Sequence, residues 1–242
     1  MSIVHTERSR NLEVEYALIH SPLVGPATWS PLAGELRRLG QCVSVPRLRD
    51  ADDLDVPYWR QEVESATSAL DQTASDCPLI LVGHSGAGTL LPLIGNQTRR
   101  PVDRFIYIDA GLPLEGASRL AEMTNRSPQF ASRLCEELAQ GNRAPNWTDD
   151  DLRPIIPDDG LRRQVIAELQ PRPLAFYQEP IPSPANWANV PGGYLQFSPP
   201  YASAAERARQ IGWPCHNLPG GHFHMLVDPS AVAAALISIS DS

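Results

Sequence analysis

The chain contains no lysine: all 20 basic side chains are arginines, set against 28 acidic ones, and the formal net charge is −8. That balance argues against a nucleic-acid partner, because a phosphate backbone calls for a basic patch. No apolar run approaches the roughly 18 to 20 residues of a membrane span, so no membrane partner is expected. The first residues, MSIVHTERSRNLEVEYALIHS, show no basic stretch followed by an apolar one, and no secretory signal is read there. Cysteine is sparse. Cys42, Cys77, Cys135 and Cys215 stand far apart without CxxC or zinc-finger spacing, and they read as reduced thiols of a cytoplasmic protein. Internal repeats and long low-complexity tracts are also missing.

What remains is an apolar fraction of 42% over 242 residues, enough for one sizeable core. Short apolar runs alternate with amphipathic stretches, the pattern of strand–helix units around a mostly parallel sheet. Strands are expected at Leu12–His20, Gln41–Pro46, Pro78–Gly83 and Arg104–Asp109. Helices are expected at Trp29–Leu39, within Pro57–Ser75, and at Gly86–Asn96. From Gly111 the composition turns helix-forming and charged, broken by Pro145, Pro154, Pro157, Pro171 and Pro173, with no strand pattern. The expected organisation is an α/β core of residues 1–110 and 181–242, with 111–180 inserted as a helical cap. In open α/β sheets ligands bind at the C-terminal edge, where such an insertion would lie. A strand at Gly192–Ser198, a helix at Ala202–Ile211, a short strand at Cys215–Leu218 and a helix from near His222 complete the chain.

The segment LILVGHSGAG, Leu79–Gly88, carries most of the functional information. A serine hydroxyl needs exposure, a nearby base and donors for the developing oxyanion. A sharp turn from a buried strand into a helix exposes Ser85, and Gly83 and Ala87 are small enough to fit beside it. The pattern is G-x-S-x-G with Ala87 in the last place. The N–H of Gly86 falls at a helix start, where partial positive charge gathers. A base should come late in the chain, and LPGGHFHMLVDP presents His222 on a Pro-Gly-Gly turn. His224 would point elsewhere, and His84 would lie under the turn as a structural residue. A metal cluster of Cys215, His216, His222 and His224 matches no zinc spacing, so neither metal nor cofactor is expected.

Together ALIHS, VGHSGAG and GGHFHMLVDP resemble the α/β-hydrolase superfamily, nearest in spacing to small capped esterases and the plant methylesterase and hydroxynitrile-lyase branch. The resemblance implies an α/β-hydrolase fold, His222 as general base and Gly86 as an oxyanion donor. Two positions depart from the family. Where the orienting acid usually follows the penultimate strand, this chain has Pro199 and Pro200. Asp109, at the end of an earlier strand, is the preferred acid because it keeps the order Ser–acid–His; Glu179 is a second candidate, and a Ser–His dyad a third. Where the family's first loop donates a backbone N–H, Pro22 has none, leaving Leu23 or the hydroxyl of Ser21. Losing such a donor costs about 2.7–4 kcal/mol of transition-state stabilisation.

Two readings follow for a small-molecule substrate. One is a serine hydrolase, esterase-like, acting on a small, mostly apolar ester, lactone or thioester in an uncharged pocket lined by Trp147, Phe176, Tyr177 and Trp187. The other keeps the fold but uses Ser85 and His222 for proton transfer in an elimination, cyclisation or lyase reaction. Phe223 stands where the lyase branch carries a lysine, which argues against cyanohydrin cleavage itself.

Overall fold

The computed structural model describes residues 14–52, 55–73, 75 and 77–242. Six strands, β1 (Glu15–Ile19), β2 (Cys42–Ser44), β3 (Leu79–His84), β4 (Val102–Ile108), β5 (Gly192–Gln196) and β6 (Cys215–Asn217), form one parallel sheet in the order β2-β1-β3-β4-β5-β6. Every residue of β3 is buried. Alternation sends Ile80 and Val82 into one layer and Leu79 and Leu81 into the other. Both faces must therefore be covered, which is why this strand reads as an unbroken apolar run. The first face is covered by α1 (Ser30–Arg38) and α11 (Pro229–Ser240), through Leu32, Leu36, Val232 and Leu236. The second is covered by α2 (Tyr58–Asp71), α3 (Leu91–Gln97) and α9 (Ala202–Ile211), through Val63, Leu70, Ile94 and Ala205.

This arrangement fixes where a site can form. The chain leaves β1 towards α1 on one face and leaves β3 towards α3 on the other. The loops at the C-terminal ends of β1 and β3 thus diverge, opening a crevice at the switch in strand order.

Two expected helices are broken, each by a proline. The stretch Gly86–Asn96 divides into a 3-10 segment, Ser85–Leu90, and α3, which has Pro92 in its first turn. Proline lacks the N–H that a helix interior needs but is at home in a first turn. Likewise the last stretch divides into α10 (His224–Val227) and α11, because Asp228 precedes Pro229 and is held out of helical geometry. Asp228 then caps α11, accepting from the N–H of Ala231. Leu12 and Glu13, expected to open β1, lie outside the described residues.

Between β4 and β5 the chain forms α4 (Arg119–Arg126), α5 (Pro128–Ala139), α6 (Asp149–Leu152), α7 (Asp159–Ala167) and α8 (Leu174–Gln178), and adds no strand to the sheet. A buried ionic cluster ties this stretch to α2: Arg119 meets Glu62 and Glu179 at 2.6 Å each, while Arg172 pairs with Asp50. Three carboxyls thus face two guanidiniums in this cluster, so one buried carboxyl favours its neutral form. Glu62 is the best placed: burial first, then the charges of Asp50 and Glu179 against that of Arg119, raise its pKa from 4.5 to about 8.

The folded state therefore keeps a proton that the unfolded chain releases. That contribution to stability is whole below about pH 4.5 and drains away as pH rises towards 8. We expect stability to fall between pH 6 and pH 8.5, and Glu62→Gln, which is neutral throughout, to flatten that fall. Urea unfolding at the two pH values checks it; an unchanged slope in the variant would assign the pH dependence to other groups.

Among the described residues no helix is long and apolar enough to cross a membrane.

Candidate active site

Ser85 follows β3 with φ of +57°, in the left-handed region that residues other than glycine rarely occupy. Such backbone is strained and persists only where packing enforces it. Gly83 leaves no room above it: a Cβ there would lie 3.0 Å from the Leu91 side chain. The tighter contact comes after the turn. At Gly88 a Cβ would lie 2.2 Å from the carbonyl oxygen of Gly111, which makes glycine obligatory where the 3-10 segment crosses the exit of β4. Ala87 is fully buried beside it.

Asp109, just past β4, also has positive φ, +42°, and is wholly buried. Its Oδ1 accepts the backbone N–H groups of Phe197 and Ser198 at 2.9 Å each. Its Oδ2 accepts the Ser198 hydroxyl at 2.6 Å and lies 2.8 Å from His222 Nδ1. Burial pushes the Asp109 carboxyl up, but the bonds from His222 and Ser198 outweigh it and hold the pKa below its ordinary value. An ionised carboxylate can only accept, so Nδ1 carries a proton, and in the neutral imidazole Nε2 is the nitrogen with the lone pair.

Glu179 does not reach the imidazole. Its carboxylate is engaged by Arg119 and by the backbone N–H groups of Tyr58 and Trp59, at the start of α2.

Two further histidines hold the site's backbone. The Nε2 of His84 lies 2.8 Å from the carbonyl oxygen of His222; since that oxygen accepts, Nε2 donates and Nδ1 stays bare. Burial, with the neighbouring His222, lowers the pKa of His84 to about 3, so it remains neutral and pins the loop that carries His222. His20 donates from Nδ1 to the Ser21 carbonyl at 2.9 Å and accepts the N–H of Leu48 at 3.0 Å. His224 packs edge-on against Phe197, away from the imidazole–carboxylate pair. Cys215 directs its thiol to the backbone oxygen of Trp213 at 3.3 Å.

Ser85, His222, Gly86, Ser21 and Leu23 all line one cavity of about 610 Å³. The two substitutes for the donor missing at Pro22 are coupled, because the N–H of Leu23 points at the Ser21 hydroxyl, 3.4 Å away. A Cβ on Gly86 would lie 3.8 Å from that same hydroxyl oxygen, so both loops meet beside Ser85.

The residue that sequence reasoning missed is Tyr201. Its hydroxyl, not the imidazole, is the hydrogen-bond partner of Ser85 Oγ, at 3.2 Å. Its ring lies parallel to that of His222, within 3° and at 5.1 Å. Burial above all raises the Tyr201 pKa to about 12, so the phenol keeps its proton and can donate it in a hydrogen bond. A signal was present in YLQFSPPY: an aromatic with a polar tip, placed by two prolines just past the end of a core strand. The prolines stand where the orienting acid was sought, and their effect is to turn Tyr201 into the site.

The pocket also departs from the expected lining. Trp147, Phe176 and Tyr177 do face it, but Trp187 packs instead against Tyr107 and Trp213. Nor is the pocket uncharged, since Arg119, Glu122 and Arg126 of α4 all face it. A helix lying over a polar site turns a charged stripe inward, which periodicity alone does not distinguish from a solvated face.

A parallel sheet covered on both faces, with a serine forced into left-handed backbone where its buried strand turns into a helix, defines the class of protein. The chain belongs to the alpha/beta hydrolase family, whose model matches residues 18–235. It is similar in structure to an extracellular alpha/beta-hydrolase from a Paenibacillus species, described as sharing structural and functional homology with tobacco salicylic acid binding protein 2. The two are 21% identical, with a TM-score of 0.73 over 93% of this chain and 98% of that one. A pyrethroid hydrolase from Sphingobium faniae matches at 19% identity and a TM-score of 0.70, over 95% of this chain and 98% of that one. Tomato methylketone synthase I, in complex with beta-ketoheptanoate, matches at 13% identity and a TM-score of 0.71, over 95% and 98%. No curated protein matches the sequence.

Proposed function

We propose that the protein is an esterase-like serine hydrolase in which Ser85 is the nucleophile, His222 the general base and Asp109 the acid that orients it. The reading rests chiefly on one observation: His222 Nδ1 lies 2.8 Å from a buried, ionised Asp109, which makes Nε2 the nitrogen that can take a proton, in the cavity that Ser85 also lines. In the resting state the Ser85 hydroxyl is bonded to Tyr201; a rotation about its Cα–Cβ bond releases it towards the imidazole. Oγ then attacks the carbonyl carbon of an ester, lactone or thioester, and its proton passes to His222 Nε2. The same proton goes to the leaving alcohol or thiol as the acyl-enzyme forms, and water reverses the sequence.

The oxyanion is held by the Gly86 N–H and by a second donor drawn from Ser21, Leu23 or Tyr201. Tyr201 is the strongest of these, because its protonated phenol already sits on Ser85 Oγ. Residues 111–180 act as the cap, bringing Trp147, Phe176 and Tyr177 against the acyl chain.

The bond between Ser85 and Tyr201 also favours a second reading, in which serine, tyrosine and imidazole relay a proton without acyl transfer. Trapping separates the two. A fluorophosphonate should label Ser85, and turnover of an ester in hydroxylamine should yield the hydroxamate. A confirmed substrate that is converted with neither outcome would favour proton-transfer chemistry.

A further inference from the structure

Arg119, Glu122, Met123 and Arg126 follow the three- and four-residue spacing of one helix face, and all four line the cavity that holds Ser85. The two arginines on that face are in different states. Arg119 is neutralised, with Glu62 and Glu179 at 2.6 Å each. Arg126 belongs to none of the ion pairs formed among the described residues. Its Nε is buried with no hydrogen-bond partner, and its guanidinium lies over the Tyr201 ring, 4.4 Å from the centroid. Glu122, one turn earlier, acts on Arg126 through its charge but is not among its ion-pair partners; its carboxylate packs on Gly111, where an added Cβ would come within 1.6 Å of Oε1.

A guanidinium is a planar fork of donors matched to a carboxylate. Partly removed from water, and with Glu122 acting on it by charge but not in an ion pair, it carries a desolvation cost that an incoming anion would offset. Its position sets the distance to the chemistry. Tyr201 carries the guanidinium on its ring and touches Ser85 Oγ with its hydroxyl at 3.2 Å. An anion on Arg126 is therefore separated from the reacting carbonyl by the length of one aromatic ring.

We propose that Arg126 is the binding residue for a substrate carboxylate, so that the ester cleaved at Ser85 carries a free carboxylate a few carbons from the scissile bond. This rests on the hydrolase reading for the bond that is cleaved, but not for the binding of the anion. The tyrosine face keeps the guanidinium aimed into the pocket, and Trp147, Phe176 and Leu134 supply apolar wall for the carbons between. The substrate is then an acid monoester or its thioester equivalent, more polar than composition suggested.

The test uses monomethyl and dimethyl esters of succinate, glutarate and adipate with the full chain. Turnover is followed by pH-stat, and binding of the monoesters to Ser85→Ala by calorimetry. At one of these lengths the wild type should prefer the monoester in kcat/KM, and Arg126→Gln should lower the monoester-to-diester ratio at least about 30-fold. Arg126→Lys, which keeps the charge without the fork, should retain part of that ratio. Because each ratio is taken within one variant, a change in the amount of folded enzyme cancels. Equal ratios in wild type and Arg126→Gln at every length overturn the proposal while leaving hydrolysis standing. If no ester is turned over, but Ser85→Ala binds a monoester and loses it on adding Arg126→Gln, the anion site stands and the hydrolytic reading falls. If Ser85→Ala binds each monoester equally well with and without Arg126, the anion site falls whatever the turnover.

Discussion

Ser85→Ala is expected to lower kcat/KM for ester hydrolysis by roughly 10⁴- to 10⁶-fold, the range seen when a nucleophile that acts as a unit with its base is removed. The methyl that remains has no electron pair to attack with, and His222 has no proton to accept. What survives is catalysis from bound water and the oxyanion donors. The fold should be kept, because the substitution deletes one oxygen whose partner, the Tyr201 hydroxyl, can turn to water in the cavity. Steady-state kinetics with a neutral ester, alongside a thermal melt, reads both quantities. Hydrolysis retained within a few-fold in a folded variant would show that Ser85 does not form an acyl intermediate. The proton-relay reading would then have to account for the rate.

The second large effect is at Asp109. Its Oδ1 accepts two backbone N–H groups, so an asparagine placed there must keep its oxygen on that side. The amide nitrogen then faces the Ser198 hydroxyl and His222 Nδ1, where Oδ2 now accepts from both. An amide N–H₂ donates, so Nδ1 must become the acceptor and the imidazole proton moves to Nε2. That is the nitrogen required as base. Asp109→Asn should therefore reduce kcat about 10⁴-fold, with the backbone around Phe197 and Ser198 intact. Nitrogen-15 spectra of the His222 ring report the tautomer directly. A full loss of rate with the tautomer unchanged would mean that Asp109 acts by charge and not by orientation, and rates near wild type would remove it from the mechanism.

The failures of sequence reasoning have identifiable causes. The turn at Ser85 was legible because everything that makes it is local: an apolar strand, a glycine two residues before the serine, and small residues after it. Gly88 carries no such local mark, since its need for glycine comes from Gly111 on another strand's exit. The two helix breaks are written in Pro92 and Pro229, but the apolar pattern that predicts each helix continues across them. The charged wall of the pocket was invisible because α4 has an ordinary amphipathic composition. Which of its faces meets the cavity depends on what it packs against.

Three kinds of local information are therefore enough to place Ser85 at the end of a buried strand and His222 on a late loop: burial, turn chemistry and helix starts. Each depends on neighbours within a few residues, and backbone sterics act at that range. The choice among Asp109, Glu179 and no acid, and the presence of Tyr201, belong to contacts between residues 113 and 116 positions apart. Parallel pairing of β3, β4, β5 and β6 brings their C-terminal ends side by side, and that pairing delivers a carboxylate to the imidazole and a phenol to the serine. Such contacts leave no periodic trace in the chain, because strand order, not sequence spacing, sets which loop ends meet.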